Sequence, residues 1–243
     1  MINDILKLLE ELKLKGMMKA LDPILIRAEK DGASLQDCIL KLLNEELNYR
    51  RERSVLYRLD QARLPWDWTL NTFPFARQPA VDRTRMMTIA GLDFMRRGEN
   101  ILFIGDPGTG KSGLAGGILR DALISGARGR FYNVQDLLND LYASLADRST
   151  PALLRKLCRY DLLVLDELGY LTLTSEQMNS FFKLMKERYE AKRSTIITTN
   201  LELEKWYEFL HPKDMVAALL DRFQHRCITI RIDGPSLRTP LLD

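Results

Sequence analysis

Residues 105–112 read Gly-Asp-Pro-Gly-Thr-Gly-Lys-Ser, a complete G-x-x-x-x-G-K-[ST] pattern. Gly105, Gly108 and Gly110, spaced by Asp106, Pro107 and Thr109, let the backbone curl until its N–H groups converge on an anion. Lys111 then supplies a cation for the β- and γ-phosphates, and the Ser112 hydroxyl a ligand for Mg²⁺. Gly113 continues into a helix whose N-terminus adds positive potential at the same place. The spacing predicts a nucleoside triphosphate site.

A second chemical group lies in LLVLDELG, residues 162–169. Four apolar residues end in Asp166 and Glu167, which puts two carboxylates at the C-terminal edge of a buried strand, where α/β sheets bind ligands. Asp166 is expected to hold Mg²⁺ through water and Glu167 to polarise the attacking water, which a hydrolase needs and a simple binder does not. STIITTN, residues 194–200, ends in Thr198, Thr199 and Asn200. A polar side chain there can hold the lytic water, with Asn200 the first choice and Thr199 the second. No NKxD-type guanine-reading motif is present, which favours ATP over GTP.

Positioning these groups requires a sheet. NILFIG (100–105), GRFYNV (129–134), DLLVLDE (161–167), STIITTN (194–200) and CITIRI (227–232) are short, apolar and rich in β-branched or aromatic residues. Helix-length stretches separate them, as parallel strands with crossover connections demand. The predicted fold is α/β, a parallel five-stranded core, preceded by helices alone. Residues 2–21 carry Ile2, Ile5, Leu6, Leu9 and Leu12 at helical spacing, Gly16 weakens that helix late, and Asp22-Pro23 predicts a break or a fresh start. Ser34 is placed as the N-cap of a helix whose apolar stripe is Leu35, Ile39, Leu42, Leu43 and Leu47. Residues 64–80 change character: Pro65, Pro74 and Pro79 alternate with Trp66, Trp68, Phe73 and Phe75, a linker pinned to a domain surface rather than loose. The resulting domains are a helical unit over 1–64, a linker over 65–80 and a nucleotide-binding domain over 81–243.

With 46% hydrophobic and 28% charged residues, the composition is that of a folded globular chain rather than a disordered one. No apolar run has the length of a membrane span, and the charged N-terminus is no signal peptide, so no membrane partner and a cytoplasmic location are expected. Cys38, Cys158 and Cys227 are widely spaced, which fits reduced thiols better than a zinc site. A net charge of +3 says little, but Arg50, Arg51, Arg53, Arg58 and Arg63 form one cluster and Arg77, Arg83, Arg85, Arg96 and Arg97 another. Each cluster reads equally as a phosphate-tracking surface or a solvated helix face.

Taken together these motifs resemble the AAA+ P-loop NTPases, and more narrowly the IstB-like transposition helpers allied to the DnaC-type helicase loaders. The resemblance covers nearly the whole chain, through FPFARQPAVDR (73–83), LDFMRRGENILFIGDPGTGKS (92–112), YDLLVLDELGYLTLTSE (160–176), RYEAKRSTIITTNL (188–201) and ALLDRFQHRC (218–227). It implies an ATPase that uses ATP and Mg²⁺, with Asp166 and Glu167 as the Walker B pair. It also implies that Arg222 is an arginine finger acting on a neighbouring subunit's γ-phosphate, with Arg226 its substitute, and that Arg238 in GPSLR is a sensor arginine. A finger in trans requires a homo-oligomer, a ring or helical filament. The implied partners are double-stranded DNA and a cognate transposase, and no C-terminal lid domain is expected. Where relatives carry Thr-His after the lysine, this chain has Ser112-Gly113; serine keeps the hydroxyl. His225, near the finger, reads as structural. Rival readings are a replicative helicase loader, a small-molecule kinase, and a DNA-binding scaffold that holds ATP without hydrolysing it.

Overall fold

The computed structural model describes residues 2–169 and 173–238. Five strands, β1 (Asn100–Gly105), β2 (Gly129–Asn133), β3 (Leu162–Asp166), β4 (Ser194–Thr199) and β5 (Cys227–Ile232), form one sheet in the order β2-β3-β4-β1-β5. Every pairing is parallel. β1 and β3 carry continuous apolar runs and β4 is buried along its whole length because helices cover both faces, and Leu102, Phe103, Leu163, Val164, Ile196 and Ile197 are fully buried.

One face packs under α7 (Val134–Ala146), α8 (Thr150–Cys158), α9 (Ser175–Glu190), α10 (Trp206–Phe209) and α11 (Lys213–His225). The other packs under α4 (Arg83–Ala90), α5 (Asp93–Arg97), α6 (Lys111–Ile124) and the aromatic segment, where Leu70 and Phe73 are buried with Phe94 and Ile118. The segment over 65–80 is thus part of the core's wall. Arg188, 1% exposed, ties the bottom of the sheet together: it donates to the carbonyls of Leu157, Tyr160 and Ser194 and to Thr195 Oγ1. Among the described residues no helix follows β5. No helix of the described residues is long and apolar enough to cross a membrane.

The chain divides into two compact units, Met1–Tyr57 and Arg58–Asp243. The first holds α1 (Ile2–Glu11), α2 (Lys15–Asp31) and most of α3 (Leu35–Ala62). Its helix boundaries differ from expectation. The break falls at Lys13, which takes φ 57°, and α2 runs straight through Pro23. Proline is tolerated because the carbonyl it frees, that of Lys19, lies on an exposed turn open to water. Gly16 is buried in the first turn of α2, where a Cβ would stand 2.7 Å from the Glu45 carbonyl oxygen and Glu46 Cα. That close approach lets Glu46 act as the cap: its Oε2 accepts from the N–H of Gly16 at 2.7 Å and of Met17 at 3.2 Å, while Oε1 accepts from Arg50 Nε at 2.6 Å. Burial alone would raise the Glu46 carboxyl, but Arg50 and the two amides outweigh it and hold the group below its usual range.

Ser34 caps α3 as expected, its Oγ accepting from Asp37 N–H at 3.2 Å. The expected α3 stripe is mostly not a core: Leu42 is buried, whereas Leu35, Ile39, Leu43 and Leu47 are 44–73% exposed. Leu9, Leu21 and Leu42 form the buried apolar cluster of the unit.

Candidate active site

Strand order builds the site. β4 lies between β1 and β3, so the loop after β1, the carboxylates ending β3 and the polar end of β4 emerge side by side. The register pairs Ile104 with Thr199 and Leu165 with Ile197, which sets Asp166 beside Thr198.

α6 starts at Lys111, and Gly110 precedes it with φ 95°, a left-handed conformation in which a side chain would be strained. A Cβ at Gly110 would also lie 2.7 Å from the Phe73 ring. The loop is stitched from both sides. Thr109 Oγ1 donates to the Asp106 carbonyl at 2.8 Å, Leu237 N–H donates to the Gly108 carbonyl at 2.8 Å, and the fully buried Gln78 amide donates to the carbonyls of Thr109 and Pro235. Lys111 Nζ donates at 2.7 Å to the carbonyls of Gly105 and Asp106. Burial lowers its pKa, Asp166, Asp106 and Glu167 oppose that, and Arg238 reinforces it.

Asp166 is 5% exposed, and that burial pushes its carboxyl above the usual aspartate range, against hydrogen bonds from Thr198 and Ser112. Thr198 is the pivot of the acidic pair: its Oγ1 donates to Asp166 Oδ1 at 2.6 Å and accepts from Glu167 N–H at 2.9 Å. Glu167 takes φ 62°, unusual for a side-chain-bearing residue, and its carboxylate accepts from Asn133 Nδ2, at the end of β2, at 2.9 Å. Ser112 and Asp166 are hard oxygen donors that fit Mg²⁺.

A cavity of about 440 Å³ joins the phosphate loop, Glu167 and the end of β4, while Asp166, buried beside Thr198, is not part of its lining. Pro107, Gly108, Gly110, Lys111, Ser112, Gly113, Glu167, Thr199, Asn200 and Arg238 all line it, together with Trp66, Trp68, Gly169 and Leu237. Thr199 Oγ1 is engaged with Leu201 N–H at 3.0 Å, which leaves Asn200 the freer of the two candidates for holding water. Arg222 does not line this cavity. It sits on α11, donating to the Ala218 carbonyl at 2.8 Å and lying 5.7 Å from the Phe182 ring centroid. Arg226 ends α11 with its carbonyl bonded to Asn100 N–H, and His225 pairs with Tyr189 at 3.3 Å. Positions 170–172 of the GYLTLTSE motif lie outside the described residues.

Sequence reading missed Asn133, Thr198, Gln78, Trp66 and Trp68. Thr198 stood in view at the strand end; Gln78 lies within FPFARQPAVDR but gives no signal of its own there, and the others are single polar or aromatic residues outside the phosphate-loop and Asp-Glu motifs. Several arginines of the two clusters have local partners: Arg50 binds Glu46, Arg58 the Leu123 carbonyl, Arg85 the Thr229 carbonyl, Arg96 Asp93 and Arg97 Glu99.

The parallel sheet in this order, the phosphate loop and the Asp-Glu strand end define an AAA+ P-loop ATPase. Solved structures with this fold include the DnaC helicase loader, 24% identical over 71% of this chain and 100% of that one with a TM-score of 0.57. An AMPPCP-bound DnaA from Aquifex aeolicus is 20% identical over 70% of this chain with a TM-score of 0.58; the match spans about half, 51%, of that protein. The chain belongs to the family of IstB-like ATP binding proteins, whose model matches residues 7–240. Among its relatives, the insertion sequence IS21 putative ATP-binding protein of Pseudomonas aeruginosa is 35% identical over 95% of this chain and 87% of its own length. The corresponding IS232 protein of Bacillus thuringiensis subsp. berliner is 32% identical over 95% of this chain and 92% of its own.

Proposed function

We propose that this protein is the ATP-dependent assembly factor of an insertion sequence: it oligomerises on duplex DNA, selects a target and delivers it to the element's transposase. The observation that carries the reading is the union of a complete phosphate loop and acidic strand end with near-full-length similarity to insertion-sequence ATP-binding proteins.

Lys111 and the Gly108–Ser112 amides bind the phosphates, and Ser112 and Asp166 hold Mg²⁺. When bound, the ion neutralises charge on the phosphate oxygens. Glu167 orients and deprotonates the attacking water with Asn200, and Arg238 stabilises the γ-phosphate from within the same chain. Arg222, outside its own cavity, serves the neighbouring subunit's site, so ATP is sandwiched at an interface and its hydrolysis loosens the assembly. In the N-terminal unit, Lys13, Lys15, Arg50 and Arg53 line one groove with Tyr49 and Glu46; Glu46 pairs with Arg50, and the net positive charge that remains suits DNA phosphates. The exposed leucines of α3 offer an apolar face to the transposase.

Electron microscopy of the Glu167→Gln variant with ATP and duplex DNA tests the reading. Rings or filaments that persist on duplex are expected, because ATP binds but is not turned over. Particles that stay monomeric on duplex would end the proposal, and assembly only with a replicative helicase and single strands would assign the loader role instead.

A further inference from the structure

The cavity has two chemically distinct halves. One is polar, made by Lys111, Ser112, Glu167 and Arg238; the other is aromatic, made by Trp66 and Trp68. The polar half suits a triphosphate. The aromatic half is not needed for phosphates, and Trp66 and Trp68 remain 49% and 41% exposed, with ring centroids 6.4 Å apart.

We infer that Trp68, supported by Trp66, is the stacking face for the nucleobase of the bound nucleotide, and that Gly113 is glycine to make room for it. A Cβ at position 113 would run into the six-membered ring of the Trp68 indole. The indole therefore lies directly on the first turn of α6, one residue beyond Ser112. A triphosphate held by the loop places its nucleoside end past the loop, along the same cavity wall. The platform is held in place on both sides. Asp67 accepts from Arg120 Nη2 of α6 at 2.7 Å, and Leu70, 2% exposed, packs on Gly117, where an added Cβ would stand 3.0 Å from the leucine Cδ2. Trp68 also meets Phe73 edge-on at 6.3 Å. A fixed, half-exposed indole is a preorganised stacking surface, since little side-chain freedom remains to be lost on binding. Stacking is tolerant of base identity, because every base has a π-face. The platform therefore adds affinity for nucleotides generally, without choosing between adenine and guanine.

The inference rests on nucleotide binding at the phosphate loop and is independent of the DNA-delivery reading. It is tested on the full-length protein without turnover, by calorimetric titration with AMPPCP, its guanine counterpart and inorganic tripolyphosphate, which has no base. Trp68→Ala is expected to weaken both nucleotide analogues by about tenfold, the range of aromatic–base stacking, and to leave tripolyphosphate unchanged. Trp68→Phe keeps a ring and is expected to stay within about threefold of wild type. AMPPCP should also shift the intrinsic fluorescence of the wild type but not of a Trp66→Phe/Trp68→Phe double variant, whose remaining Trp206 is buried in the core. Unchanged analogue affinity in Trp68→Ala would overturn the inference. So would an equal loss for analogue and tripolyphosphate, which would make Trp68 a prop for the loop rather than a base platform.

Discussion

Thr198→Val is the most informative single change in the site. The substitution preserves shape but removes a hydroxyl that serves two partners at once, Asp166 Oδ1 at 2.6 Å and Glu167 N–H at 2.9 Å. A hydrogen bond to a charged group contributes about 1.5–3 kcal/mol, and an orphaned amide costs about 1 kcal/mol more. The added methyl, in a fully buried position, returns about 1 kcal/mol. The net loss is about 1.5–3 kcal/mol. Thr198→Ser is the control: it keeps both hydrogen bonds and loses only a buried methyl, about 1 kcal/mol. Urea unfolding at neutral pH, followed by the fluorescence of buried Trp206, reads the stability of the Arg58–Asp243 unit. ATP turnover reads the site, and it should fall at least about tenfold in the valine variant, because the Asp166 carboxylate loses its partner and the Glu167 backbone its anchor. Loss of the Thr198 bond also pushes Asp166 further up, so the acid limb of the remaining activity should move to higher pH. Equal stability, turnover and acid limbs for the valine and serine variants would refute the pivot.

Two further changes probe charge. Asp166→Asn should raise the melting temperature of the nucleotide-free protein while reducing ATP turnover to background. The sign follows from a folded carboxyl raised above its unfolded value: its favourable contribution is complete at low pH and lost as pH rises through the folded value, so the ionised group costs stability near neutrality. Differential scanning calorimetry at neutral pH checks this, and the gain should vanish in acid. Glu46→Gln acts in the opposite sense. Its depressed carboxyl contributes stability above the unfolded value that is lost as pH falls through the folded one. The variant should lose about 1 kcal/mol near neutrality and show a flatter acid limb for unfolding of the N-terminal helices by circular dichroism.

The sheet was legible because parallel strands covered on both faces must be short apolar runs, and all five were located within a residue or two. The phosphate loop was legible because its chemistry demands a spacing. Asn133 and Gln78 were not, since one amide at a strand end or in a linker looks like any other until the sheet brings β2 beside β3 and the linker beside the loop. Trp66 and Trp68 were read as pinned to a surface, and only the packing on α6 shows that the surface is the cavity wall. The N-terminal unit was read least well. Pro23 lies inside α2, with the carbonyl it leaves unbonded on the exposed residue Lys19, and an apolar stripe predicts a core only where something covers it. Leu43 and Leu47 are exposed despite their spacing.

The central claim is that one subunit's Arg222 completes another's ATP site. Mixing the Glu167→Gln and Arg222→Ala proteins on duplex DNA tests it directly. Each alone should be inactive, the first lacking the water-activating carboxylate and the second the neighbour's guanidinium. In random mixed assemblies about one site in four joins an intact Glu167 to a neighbour's intact Arg222, so roughly a quarter of wild-type turnover should return. A mixture no more active than the sum of its parts would contradict the account.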